Sequence, residues 1–211
     1  MEKKIIAALA ILCLFATAAA YAQEAKQVNS ANTFTSPTAG FSITKPATWV
    51  FGTMEQVATS RAAIRLKDKE LEQQMRERAD APMVVILKHQ EPSDDLNPSV
   101  QVLLRPLGQL EGRSAVELIS MVVPTIQRAV ADFTVIEPIK ETTVGGQKAA
   151  YMKSKYTVTN AEGREFRALS RLWIVPRGKF MFMISMSGPQ EGPDVSESEF
   201  AEVLQSIRIE R

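Results

Sequence analysis

Residues 142–187 read TTVGGQKAAYMKSKYTVTNAEGREFRALSRLWIVPRGKFMFMISMS, and this stretch decides the fold. Runs rich in Val, Ile, Thr, Tyr, Phe and Trp are set apart by Gly145-Gly146, by Asn160-Ala161-Glu162-Gly163 and by Arg177-Gly178-Lys179. With the run that leads from Phe133 to Val144, they read as four consecutive antiparallel strands. Strand side chains alternate between two faces. Ala149 and Tyr151 therefore lie opposite Ala150, Met152, Tyr156 and Val158. On the next strand Phe166, Ala168, Leu172 and Ile174 oppose Leu169, Trp173 and Val175. On the last, Phe180, Phe182, Ile184 and Met186 oppose Met181 and Met183. A sheet with one wet face would be polar at every second position. Here both faces are apolar, so both need a cover.

The covers are sought on either side of this stretch. Ser114-Ala115-Val116-Glu117 is a capping box, in which the serine and the glutamate satisfy free amides at a helix start. Ala115, Leu118, Ile119, Val122, Ile126, Ala129, Val130 and Phe133 follow at helical spacing. Pro124 is expected to kink that helix by removing one of its hydrogen bonds. Ser196 and Glu199 suggest a second capping box, before the apolar stripe Phe200, Val203, Leu204 and Ile207. Upstream, Met83–Leu87 and Ser99–Arg105 read as strands, joined by a loop over 91–98 with Asp94-Asp95 at its tip. Asp68–Ala79 has a helical composition, a favourable Glu72–Arg76 pair and a thin stripe of Leu71 and Met75. The rest of 55–80 has no readable period. Phe41 and Ile43 mark a short strand that Pro46 ends, and Trp49 is expected to be a core plug. The fold class is α+β: a central, mostly antiparallel sheet covered by helices on both faces, an α/β/α sandwich.

The chain opens with Glu2-Lys3-Lys4, an apolar run over 5–20 and the small-x-small triplet Ala20-Tyr21-Ala22. This is a secretory signal pattern, with cleavage expected between Ala22 and Gln23 and no stable membrane span left afterwards. The expected organisation is signal peptide 1–22, flexible leader 23–35 and one domain over 36–211. Cys13, the single cysteine, leaves with the signal, and with it any disulfide, thiol nucleophile or cysteine ligand. Removing Glu2, Lys3 and Lys4 takes the formal charge from +1 to neutral, which argues against nucleic acid as a partner.

Gly40-Phe41-Ser42-Ile43-Thr44-Lys45-Pro46-Ala47-Thr48-Trp49 resembles the opening of PsbP-like domains, a glycine-phenylalanine strand followed by a proline and a tryptophan. Val144-Gly145-Gly146-Gln147-Lys148-Ala149 resembles the family's central hairpin. Phe200, Leu204 and Ser206-Ile207-Arg208-Ile209 are similar to its closing helix and strand. The resemblance covers about residues 36–210. It implies an antiparallel sheet between helices, and it brings no shared catalytic residues.

Chemistry-bearing motifs are sparse. His89 is the single histidine, beside a loop with Glu91, Asp94 and Asp95. A lone histidine without a triad or ligand motif is weak evidence for catalysis or metal binding. Met181, Met183 and Met186 divide between two strand faces and so read as core fillers rather than copper ligands. No catalytic, metal or cofactor residue is assigned, and no cofactor is expected. Nine basic and three acidic residues fall between Lys140 and Ser187, against six acidic and two basic from Gly188 onward. Arg167 and Arg171 share a strand face about 13 Å apart and are the candidates for an anionic envelope partner. The competing expectation is that they pair with Glu197, Glu199 or Glu202 of the tail. The sequence thus points to an exported, periplasmic or secreted, non-catalytic binding or accessory module of the bacterial envelope, whose partner is an envelope protein or anionic envelope component. The alternatives are a small hydrolase or transferase using His89 and nearby carboxylates, and a carrier of an apolar ligand between sheet and helix near Trp173.

Overall fold

A computed structural model describes residues 31–78, 81–93 and 95–210. The expected signal segment 1–22, its cleavage site at Ala22-Gln23 and the leader as far as residue 30 lie outside the described residues. So do Asp94, the side chain of Met75 and the expected Glu72–Arg76 pair.

The chain runs β1 (Thr33–Ser36), β2 (Phe41–Thr44), β3 (Val50–Phe51), α1 (Met54–Ala63), β4 (Ile64–Arg65), α2 (Lys69–Arg78), β5 (Val84–Leu87) and β6 (Ser99–Pro106). It continues with α3 (Ala115–Ala129), β7 (Ala131–Val144), β8 (Gln147–Asn160), β9 (Glu165–Arg177), β10 (Phe180–Pro189), α4 (Glu197–Ser206) and β11 (Arg208–Ile209). The large sheet has the order β3-β5-β6-β10-β9-β8, with β4 and β7 sharing the outer side of β8. A small sheet has the order β1-β2-β11. The pairings described are antiparallel throughout. β1 includes Thr33–Thr35, so ordered structure begins inside the segment expected to be leader.

The Gly145-Gly146 turn follows from its glycines. Both have positive φ, +56° and +80°, as a two-residue hairpin of the primed type requires. A β-carbon on Gly145 would sit 2.8 Å from the Ile209 amide nitrogen, so this turn also seats β11.

The two expected faces are the two cores. α3 lays Leu118, Ile119, Val122 and Ile126 on Ala150, Met152, Leu172, Ile174, Met181 and Met183. The Ser114 hydroxyl accepts from the Glu117 amide at 3.2 Å, and Glu117 accepts from the Ser114 amide at 2.8 Å, completing the capping box. Helix α3 carries Pro124 within its span and ends at Ala129. Phe133 therefore lies in β7 rather than on the helix, though it packs on the same core.

Trp49, Phe200, Val203 and Ile207 cover the other face, against Tyr151, Trp173, Val175, Phe182 and Ile184. They share that task with Phe34, Phe41 and Ile43 of the small sheet, so α4 is one half of this cover. Ser196 does not cap α4. It has φ +58°, and its side chain makes no cap hydrogen bond. A left-handed residue does not have the extended backbone of a capping serine.

Candidate functional site

Three clusters of polar side chains stand on this scaffold. The first gathers at the start of α4. Lys88, just beyond β5, donates to Glu199 at 2.9 Å and to the Ser196 hydroxyl at 3.0 Å, and lies 3.3 Å from Asp194. His89 Nε2 is 3.1 Å from the other oxygen of Asp194. The buried Trp49 indole donates to Glu199 at 2.8 Å. Partial burial opposes the Lys88 charge, but Glu199 and Asp194 outweigh it and raise its pKa above the ordinary lysine value. Burial likewise opposes ionisation of Glu199, which Lys88 and Trp49 overcome, so its pKa falls below the usual carboxylate range. Asp194 behaves in the same way under His89 and Lys88. Lys88 is thus held as an ammonium and serves as a donor to Ser196, not as a base for it. The cluster ties α4 and Trp49 to the end of β5.

Among the described residues the carboxylate beside His89 is Asp194, rather than Glu91 or Asp95. Glu91 accepts from the Ser93 amide and the Asn97 side chain, and Asp95 accepts from the Leu96 amide. Asp194 comes from a loop 105 residues further on, a separation that no local pattern reveals.

The second cluster divides the two expected arginines. Arg171 is buried, its guanidinium 5.1 Å from the Phe200 ring centre and ion-paired with Glu197. Lys153 pairs with the same glutamate at 3.0 Å. Burial opposes the Glu197 charge, while Lys153 and Arg171 outweigh it and lower its pKa. Arg167, four residues along β9, is exposed beside Asp132, Lys155 and Gln190. The first turn of α4 crosses Arg171 but not Arg167, so the pair does not form one open surface. The pairing with the acidic tail is realised at Arg171 and Glu197.

The third cluster had no counterpart in the sequence reading. α3 covers only part of its sheet face. Over the rest, α1 with Glu91, Ser93 and residues 95–97 lines a cavity of about 340 Å³. Val85, Leu87, Val158 and Phe166 give it apolar walls, and Ser99, Gln101, Ser185 and Ser187 lie along the sheet side. Cross-strand register explains the floor. Ser99, Ser187, Ser170 and Ser154 sit directly opposite one another on β6, β10, β9 and β8. Of this row Ser99 and Ser187 line the cavity, and with Ser185 their small side chains leave volume that larger residues elsewhere on this face fill.

Arg61 of α1 also lines the cavity. It is 2% exposed, and its Nε and both terminal nitrogens have no hydrogen-bond partner among the described residues. Burial pushes its pKa down to about 10. The Gln101 side-chain oxygen is a further buried atom of the cavity lining without a hydrogen-bond partner among the described residues. A cavity with apolar walls and a few unspent polar groups is the usual form of a small-molecule site. No group of three or more potential metal-ligating side chains comes together among the described residues.

No protein-family model matches the chain, and no curated protein matches it in sequence. Solved structures do. LpqN of Mycobacterium tuberculosis, described as involved in cell envelope biogenesis, is 11% identical with a TM-score of 0.50, over 81% of this chain and 83% of that one. The cyanobacterial PsbP of Synechocystis sp. PCC 6803 is 14% identical with a TM-score of 0.47, over 90% and 99%. A protein from Bacteroides thetaiotaomicron is 16% identical with a TM-score of 0.46, over 87% of this chain and 50% of that one, so the chain spans about half its length. At these identities the likeness is one of fold. The fold is α+β, an antiparallel sheet between helices as expected from the sequence, and it is shared with LpqN. No helix among the described residues is long and apolar enough to cross a membrane.

Proposed function

We propose that the protein is an exported, non-catalytic binding module of the bacterial envelope that shelters a small molecule beneath α1. The cavity between that helix and the sheet carries this reading. Its volume of about 340 Å³ falls within the range of roughly 300–1,000 Å³ typical of ligand pockets. An envelope setting accords with the signal pattern at the chain start and with the biological role of LpqN. The carrier foreseen near Trp173 thus moves to the opposite sheet face, since Trp173 is packed within the core beneath α4 and the small sheet. Arg167 is the member of the arginine pair left open to an anionic envelope component.

The test is direct. Protein purified from its own envelope fraction is denatured, extracted with organic solvent and examined by mass spectrometry. One compound class in near-stoichiometric amount is the expected result. Protein that carries nothing, and binds none of a panel of small amphiphiles, would overturn the reading.

A further inference from the structure

Arg61 is the only side chain of α1 that is buried, on a helix that otherwise presents intermediate or exposed residues. An arginine on a surface helix ordinarily lays its stem along apolar surface and keeps its head in water. Here the head is shut off as well. Buried charges are normally paired, because leaving water without a partner is costly. Arg61 has no such partner among the described residues, and three donor nitrogens are unspent.

The carboxylates nearest in the cavity lining do not fill the gap. Glu91 is committed to Ser93 and Asn97, and Asp95 to Leu96, with Arg164 3.7 Å away. The cavity therefore combines a buried cation, an unpaired acceptor at Gln101 and apolar walls.

From this placement, and resting on the reading of the cavity as a ligand site, we propose that the ligand is an organic anion. Its carboxylate is received by Arg61, and its apolar body lies against Val85, Leu87, Val158 and Phe166. Guanidinium suits such a head, because its planar fork matches a carboxylate with two parallel hydrogen bonds. Gln101 favours a body that also carries a hydroxyl.

Titration calorimetry at pH 7 with decanoate, decanol and inorganic phosphate tests this on the chain as purified after export. Decanoate is expected to bind more tightly than decanol by roughly tenfold or more, as hydrogen bonds to a charged group warrant. Inorganic phosphate is expected to bind weakly. Arg61→Met should erase the preference for decanoate, weakening decanoate by roughly tenfold or more and decanol far less, and Arg61→Lys should keep part of it. Without ligand, Arg61→Met should hold or raise the melting temperature, since it removes an uncompensated buried charge.

Equal binding of decanoate and decanol would overturn the anion and leave the cavity reading intact. Binding of neither would overturn both. A preference for phosphate would overturn the apolar body. A lowered melting temperature in unliganded Arg61→Met would mean that Arg61 is held by contacts within the protein. The comparison of decanoate with decanol needs no variant, so a poorly folding substitution does not protect the proposal.

Discussion

Gly145 and Gly146 stand side by side in one turn, yet they bear different loads. Both occupy the left-handed region, where a β-carbon brings strain of about 1 kcal/mol or more. Only Gly145 also faces the backbone of Ile209 at 2.8 Å, whereas Gly146 has open space around it. Gly145→Ala should therefore lower stability by roughly 2–4 kcal/mol and Gly146→Ala by about 1 kcal/mol, measured by urea unfolding. Equal losses would mean that β11 is not seated on the turn. Glu199 gives a second test. Asp194 and Glu199 hold protons less readily in the folded chain than in the unfolded one. Their contribution is present above the ordinary carboxylate range near pH 4 and is lost as the pH falls through their lowered folded values. Lys88 runs the other way: its contribution is complete below the ordinary lysine value and fades as the pH rises through its raised one. Glu199→Gln should flatten the fall in urea midpoint between pH 7 and pH 3 relative to wild type. Unchanged steepness would show that the acid response comes from other carboxylates.

At the scale of elements, legibility followed the strength of the period. The alternation along β8, β9 and β10 placed each face correctly because both faces are buried and a one-residue slip would exchange them. The capping box at Ser114 and the stripe of α3 were equally plain. α1 was not, for a physical reason: it buries an arginine where a helix usually buries an apolar stripe, so hydrophobic spacing is silent. The capping box expected at Ser196 failed because the loop enters α4 through a left-handed residue, a tertiary matter. Asp194 beside His89, and Ser99 opposite Ser187 at the cavity, depend on pairings between distant segments. The stripe of α4 was read well, with Phe200 2% exposed and Leu204 half-buried. Phe200→Ala should destabilise the protein by about 3–5 kcal/mol, and Leu204→Ala by less, in the same unfolding measurement. No loss at either position would mean that α4 is not docked.

For the molecule as a whole, export remains a prediction with a simple readout. The intact mass of the protein recovered outside the cytoplasm should begin at Gln23, and a lipid-modified or full-length product would sink the assignment. The architecture itself has a further consequence. A sheet of eight strands ends on one side in β7, a long outer strand with Val135 and Ile136 exposed. Exposed strands of that length are templates for edge-to-edge aggregation. β7 breaks register against β8 at three places, between Ala131 and Thr134, Val135 and Glu137, and Glu137 and Lys140. Pro138 lies within the last of these breaks and offers no amide hydrogen. A second molecule laid along β7 finds no straight ladder to extend, so the exposed pair Val135 and Ile136 is flanked by breaks that disfavour edge-to-edge pairing.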